Sequence, residues 1–369
     1  MSHNKAICLP DGTKLDWLNK DSLTFLNKST ILYGLTGTGK SSIIINILHS
    51  LRNHISYPFI ITKSKASAEY NYIGRVPRGC VKWNLSKQWL EEFIKAQSAR
   101  TELYNMVNSL NNLKKVFDLI DNAMAAVHET RIINDAERCI QQIELNSTLS
   151  FPDRKLLLDE IKQTRNDALS HLYKTFIRAY KVELEQKRSD LSIDCRKVIT
   201  FLDFLPHALL IFDDCAFMIK TWVKESPAIK ELFYQGRHIY TTIVLGTQAD
   251  KEIDSEIRKN ASISIFTTPQ DVTGAFARGS NAFPDRDKRR AQLCCNAIFS
   301  PGLASSSHDT YQKLVYVRDD RIDPFKYTIA DIYNDNEFKI GSNCVWELDK
   351  YLYPSDNKSQ NTSMFDKYT

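Results

Sequence analysis

The chain has 369 residues, 43% of them hydrophobic and 25% charged, and a net charge of +5. That length suits one large domain with an insertion, or two domains. Its apolar runs, such as ALLIF at 208–212, are strand-sized, which excludes a membrane-spanning helix, while the charge permits an anionic partner such as DNA without requiring one.

The opening MSHNKAICLPDG lacks the apolar core of a secretory signal, so an intracellular protein is expected. The eight cysteines form no CxxC pair and no Cys/His spacing typical of zinc. They read as reduced thiols, adjacent Cys294 and Cys295 included. In that setting the sequon at Asn146 stays unused.

Ser29–Tyr33 is a short apolar run of strand formers, and Ser41–Arg52 has the character of a buried helix. Between them stands GLTGTGKSS, residues 34–42, which fits G-x-x-x-x-G-K-[ST] in the strand–loop–helix context that gives this pattern meaning. The glycines let successive N–H groups turn inward, and the helix N-terminus adds partial positive charge. The candidate phosphate-binding residues are Gly34, Thr36, Gly37, Thr38, Gly39, Lys40, Ser41 and Ser42. Lys40 is expected on the β- and γ-phosphates and Ser41 on Mg²⁺.

Pro58–Thr62 predicts a second strand and Val81–Trp83 a short third. From Ser86 glycine and proline become scarce and helical spacing takes over. Leu158, Ile161, Leu169, Leu172, Phe176 and Tyr180 recur at threes and fours with one gap, as in a hairpin of long helices, and Ser150 stands where such a helix would start. The α/β pattern resumes with strands at 208–212, 241–245, 262–266 and 313–317 and a helix from Ser226-Pro227 to Gly236. The expected division is a first part of the core over 1–85, a helical insertion over 86–200, a second part of the core over 201–335, and a C-terminal extension over 336–369 with a loose polar tail. Strands alternating with helices predict a mainly parallel sheet covered on both faces.

ALLIFDDC at 208–215 describes a buried strand delivering acids at its C-terminal edge, where ligands sit in open α/β sheets. Asp213 is expected to bind Mg²⁺, and Asp214 to orient and polarise an attacking water. Thr247-Gln248-Ala249-Asp250 superficially resembles a guanine-reading box, but glutamine stands where lysine is needed and no DxxG follows the second strand. Gln248 fits better as a residue that hydrogen-bonds the γ-phosphate or the water from a neighbouring strand end.

GLTGTGKSS, LLIFDDC, GRHIYTTIVLGTQ and IRKNASISIF, in this order, resemble the virion genome-packaging ATPases of large nucleocytoplasmic DNA viruses, within the FtsK/HerA superfamily. The resemblance covers about 1–85 and 200–335. It implies an α/β, RecA-like P-loop NTPase fold, to which the helical insertion over 86–200, without a counterpart in the family, is added, with ATP and Mg²⁺ as cofactors and ATP hydrolysis coupled to movement of double-stranded DNA. DNA would be gripped through its phosphates and so without regard to sequence. It further implies a homo-oligomeric ring, capsid or other packaging proteins as partners, and a place in the host cytoplasm, the viral factory or the virion. In that family's pattern Gln248 is the sensor and Arg237, in Gly236-Arg237-His238, is a candidate arginine finger acting on the neighbouring subunit, with Arg258 as the alternative. The basic stretch at Arg278, Arg286, Lys288, Arg289 and Arg290 is either a DNA path or a solvated face. The competing classes are another P-loop enzyme, such as a nucleotide or small-molecule kinase, and a non-enzymatic assembly protein.

Overall fold

The computed structural model describes residues 6–63, 65, 71–83, 85–299, 312–320, 322–334 and 337–354. The expected loose tail beyond 354 lies outside the described residues. Two compact units result, one of Met1–Ser98 with Leu205–Thr369 and one of Ala99–Phe204.

The larger unit is built on a ten-stranded sheet: β1 (Ile7–Cys8), β2 (Lys14–Trp17), β3 (Ser29–Tyr33), β4 (Tyr57–Thr62), β5 (Val81–Lys82), β6 (Ala208–Asp213), β7 (Thr241–Thr247), β8 (Ile263–Phe266), β9 (Gln312–Val317) and β10 (Phe325–Ile329). Its order is β1-β2-β10-β9-β8-β3-β7-β6-β4-β5. The six strands from β8 to β5 run parallel, and β9 turns antiparallel to β8 and β10. The sheet is thus mixed but mostly parallel, as the alternation of elements predicts. β1, β2 and β10 escape sequence reading because they are short or edge-lying and lack a long apolar run.

Strand residues alternate between two cores, following the two-residue repeat of a strand. Ile31, Leu210, Phe212, Ile243, Leu245 and Phe266 pack on one face. There they meet helices α9 (Ala216–Glu225), α10 (Pro227–Gln235), α12 (Pro269–Ala277) and α13 (Asp285–Phe299). Leu32, Ile60, Leu209, Ile211, Val244 and Ile265 pack on the other, against α1 (Ser22–Phe25) and α2 (Lys40–Leu51). Phe338 and Ile340 belong to the second core, and Ser342 N–H bonds Ser56 carbonyl at 3.0 Å, so the first part of the C-terminal extension is packed. Helix α14 (Asn343–Leu352) follows.

Helix α3 (Lys87–Asn108) begins in the larger unit and ends in the smaller. Its first turns belong with the sheet because Trp89 and Phe93 pack edge-on against Phe59 of β4. The helical unit starts at Ala99, partway along α3, about half a helix after the change in composition at Ser86. It contains α4 (Leu110–Phe117), α5 (Ala123–Leu145), α6 (Phe151–Ala179), α7 (Lys181–Gln186) and α8 (Ile193–Phe201). Ser150 caps α6 by accepting from Asp153 N–H. Leu169, Tyr173 and Ile177 bury in a separate core with Leu113, Val116, Val198 and Ile199. From Leu169 to Tyr180 the apolar stripe of α6 is packing, with Leu172, Phe176 and Tyr180 against the same core.

Candidate nucleotide site

β3 and α2 hold the glycine loop. Gly37 and Gly39 take φ of +80° and +88°, left-handed values that side chains rarely adopt. At Gly34 the constraint is space: a Cβ there would lie 1.9 Å from Thr267 Oγ1 and 2.6 Å from Thr38 Oγ1. Thr267 Oγ1 donates to Thr38 Oγ1 at 2.7 Å, tying the loop to the end of β8. Gly39 caps α2 without a side-chain bond, and no acid stands in the first turn. The opening N–H groups of this helix are thus left for an anion. Thr36 is exposed at the turn of the loop, and Ser41 and Ser42 are half-buried at the helix start.

Lys40 is 6% exposed and bends back over the loop. Its Nζ donates to Gly34 carbonyl at 2.6 Å and lies 3.3 Å from Asp214 Oδ1. That carboxylate oxygen is buried and has no hydrogen bond. Asp214 itself has φ +56°, a strained value that turns it out of the line of β6 toward the lysine.

Asp213, one residue earlier, stays in the sheet and is 4% exposed. Its Oδ2 accepts from Tyr72 hydroxyl at 2.8 Å. Tyr72 is fully buried, and Ser41 lies near enough to its phenol to act on it, so the tyrosine stands beside both the hydroxyl and the carboxylate expected on the metal. Burial pushes the Asp213 carboxyl above its ordinary value; the Tyr72 bond opposes this and the Asp214 charge adds to it. Burial, then the Asp213 charge, holds the Tyr72 phenol well above its usual range. Gly246 of β7 leaves room for the carboxylate: a Cβ there would sit 3.3 Å from Asp213 Oδ1. Sequence reading missed Tyr72, because it lies in no motif and comes from the segment after β4.

β7 stands between the loop strand β3 and the acid strand β6, and all three run the same way. Gln248, directly after β7, therefore leaves the sheet at the edge shared by the loop and the acids. Its side chain is exposed, and the turn behind it is held by Thr247 Oγ1 donating to Glu252 Oε2 at 2.8 Å.

The two arginines part company. Arg237 lies in the turn Gly236–Ile239 before β7, at the strand-start edge, exposed and, among the described residues, bonded only to His238 at 3.3 Å. The length of β7, roughly 20 Å at about 3.3 Å per residue, separates it from its own loop. Arg258 is 6% exposed. Its Nε bonds Asn281 Oδ1 at 2.6 Å, its Nη1 the carbonyls of Asp250 and Ile253 at 2.6 Å each, and its Nη2 Ser280 Oγ at 3.1 Å. A guanidinium so engaged cannot reach another subunit, and the alternative finger is withdrawn.

The basic stretch is largely self-paired. Arg278 meets Asp250 at 2.6 Å, Arg286 meets Asp287 at 3.4 Å and Lys288 meets Asp285 at 2.8 Å. Arg290 is bound to Asp323 and, at 3.0 Å, to Lys14 carbonyl. Arg289 alone of the five is exposed with no ion pair among the described residues. The solvated-face reading fits it better than a DNA path.

A left-handed glycine loop opening a helix, a folded-back lysine, and a strand-end acid pair one strand removed make this a P-loop NTPase site on a mostly parallel sheet. Residues 87–288, more than half of the chain, match the family described as zonular occludens toxin (Zot), and the chain belongs to that family. The matched span holds Asp213, Asp214 and Gln248 and begins after the phosphate loop. The chain is 25% identical, over 95% of both chains, to the uncharacterized protein B354L of African swine fever virus, from the Pig/Kenya isolate and from the Badajoz strain alike. Among solved structures, the genome packaging NTPase B204 of Sulfolobus turreted icosahedral virus 2 in complex with ATP-gammaS aligns at TM-score 0.36 and 14% identity, over 85% of this chain and 100% of that one. The pCW3 conjugation coupling protein TcpA aligns at TM-score 0.39 and 12% identity, over 93% of this chain and 70% of that one.

Proposed function

We propose that this chain is an ATPase that moves double-stranded DNA, packaging a viral genome. The observation that carries the hydrolytic part is the division of labour between two adjacent acids: Asp213 buried on Tyr72, Asp214 turned out at φ +56° toward Lys40. Nucleotide binding alone needs no such second acid. The donor set fits a nucleotide with Mg²⁺, since a hydroxyl and a carboxylate are the hard oxygen ligands this ion takes beside phosphate oxygens.

The loop N–H groups and the start of α2 bind the β- and γ-phosphates. Lys40 leaves Gly34 carbonyl and Asp214 for those phosphates, and in leaving frees Asp214. Ser41 and Asp213 would hold Mg²⁺, which would supply neutralisation of charge on the phosphate oxygens. Asp214 then orients the attacking water and takes up its proton, while Gln248 holds the water or the γ-phosphate from the neighbouring strand end. Arg237 has no route to this pocket within one chain and acts on the site of an adjacent copy in a ring, where its planar charge meets that developing on the γ-phosphoryl group.

The test is phosphate release from ATP with and without long double-stranded DNA, at low and at raised salt. Stimulation by DNA of any sequence, lost steeply with salt, is the expected result. Release that requires a small acceptor molecule instead marks a kinase, and no release under either condition leaves only a nucleotide-binding protein.

A further inference from the structure

The edge of the sheet opposite the phosphate loop carries a second cleft. It has a volume of about 200 Å³ and opens where β3, β7 and β8 begin. Four cations line it: Lys28 just before β3, Arg237 before β7, Lys259 at the end of α11 (Ser255–Asn260), and Arg318 just after β9. Asp319 is the one carboxylate in the lining. Among the described residues none of the four cations meets an acid at ion-pair distance. On this protein that is unusual, since most cations of the nearby basic stretch are paired.

Part of the arrangement has a local reason. Arg237 follows the last turn of α10 and Lys259 lies in the last turn of α11, where cations complement the helix dipole. Arg318 also contributes to that end, its Nε donating to Ala261 carbonyl at 3.3 Å. These contacts consume one side of the guanidinium. They hold it in place, as do the faces of Phe283 and Tyr316, whose ring centres lie 5.3 and 5.9 Å away. The local reasons leave two things unexplained: why Lys28, on no helix end, joins the group, and why one carboxylate is set against four cations. Converging like charges repel, and only water or an anion offsets that.

The geometry points to an oxyanion site of the phosphate class, separate from the nucleotide loop. A pre-oriented guanidinium with one free edge, flanked by lysines, matches the fork that binds phosphate oxygens. The cleft is smaller than the roughly 300–1,000 Å³ typical of whole-ligand pockets. It therefore takes a phosphate group by itself, or one projecting from a molecule held elsewhere. The site does not depend on the ATPase reading, although Arg237 serves in both, so its test leaves Arg237 in place.

The test uses the full chain carrying Lys40→Ala, which silences the loop, and sodium pyrophosphate as probe, measured by titration calorimetry at low salt. Pyrophosphate is expected to bind, and Lys28→Gln with Arg318→Gln in that background is expected to weaken it by about tenfold or more. Arg318→Lys, which keeps the charge, should retain part of the binding, and thermal melting of each variant separates lost binding from lost folding. A short DNA duplex that displaces pyrophosphate identifies the phosphate as that of a polynucleotide. A duplex that does not displace it identifies a small phosphate or the nucleotide of a second copy. Absence of pyrophosphate binding, or binding unchanged in a folded Lys28→Gln, Arg318→Gln chain, overturns the proposal.

Discussion

Lys40 and Asp214 hold one another at 3.3 Å, so removing either acts on both. Lys40→Ala takes away the charge for the phosphates and leaves the Asp214 carboxylate without its cation, and tight ATP binding should be lost with hydrolysis. Asp214→Asn should differ. Asparagine tolerates left-handed backbone as aspartate does, so the turn after β6 survives. On the proposed assignment Asp213 keeps its place at the metal, and the variant should bind ATP and fail to turn it over. A nucleotide-affinity measurement beside a turnover assay separates the two: if the Asp214→Asn chain loses affinity as well, Asp214 belongs to the metal site. Tyr72→Phe leaves Asp213 buried without its donor, and a buried group that loses its partner costs about 1–3 kcal/mol. Urea denaturation without nucleotide should show that loss, and the Mg²⁺ concentration giving half-maximal ATP binding should shift. An unchanged denaturation midpoint and an unchanged Mg²⁺ requirement together would mean that the phenol is only packing. The loop and the acids were legible in sequence because their chemistry is contained in consecutive residues. Tyr72 was not, since its partner Asp213 stands 141 positions away on another element. Arg258 was misread for the same reason: Asn281, Ser280 and Asp250, which engage it, are neighbours only in the folded chain.

Among the elements, the main parallel strands could be read from their apolar runs, and their parallel sense from the alternation with helices; their order in the sheet could not. Of the late strands β9 was read, Lys313 included, and β10 was not; what the apolar run did not announce is that β9 carries a charge into the interior. Lys313 is 1% exposed, on a strand between β8 and β10 and opposite Thr328. Burial pushes its ammonium down to about 8. An unfolded lysine titrates near 10.4, so between about pH 8 and that value the unfolded chain holds more protons than the folded one. Stability should therefore rise as pH climbs through this window, and the cost of the buried charge, on the order of 3 kcal/mol, should be present in full below it. Lys313→Met should flatten the rise and stabilise the protein at neutral pH. Urea midpoints at pH 7.5 and 9.5 for both chains measure this, and a rise of equal size in the variant would place its source in another group.

At the scale of the whole molecule, the chain presents two ends of one sheet. The phosphate loop, the acids and Gln248 lie where the parallel strands end, and Arg237 lies where β7 begins, roughly 20 Å away. A single copy cannot bring Arg237 to its own nucleotide, whereas copies arranged head to tail can bring it to a neighbour's. Such heterologous contacts close into rings when the rotation permits. Arg237→Ala should then bind ATP normally, assemble normally and hydrolyse almost nothing, since a finger of this kind is typically worth about 10³–10⁵ in rate. Mixing gives the sharper result. In assemblies of Arg237→Ala with Lys40→Ala copies, some boundaries join an intact loop on one copy to an intact arginine on the next, and hydrolysis should partly return. Arg258→Ala offers no such rescue, because losing that buried guanidinium takes the donor from Asn281 Oδ1 and from the carbonyls of Asp250 and Ile253 and should lower stability before it touches assembly. Mixed assemblies that form, as judged by size and by tagged pull-down, and still stay inactive would exclude action between copies. Near-normal hydrolysis by Arg237→Ala alone would leave Arg237 to the cleft it shares with Lys28, Lys259 and Arg318.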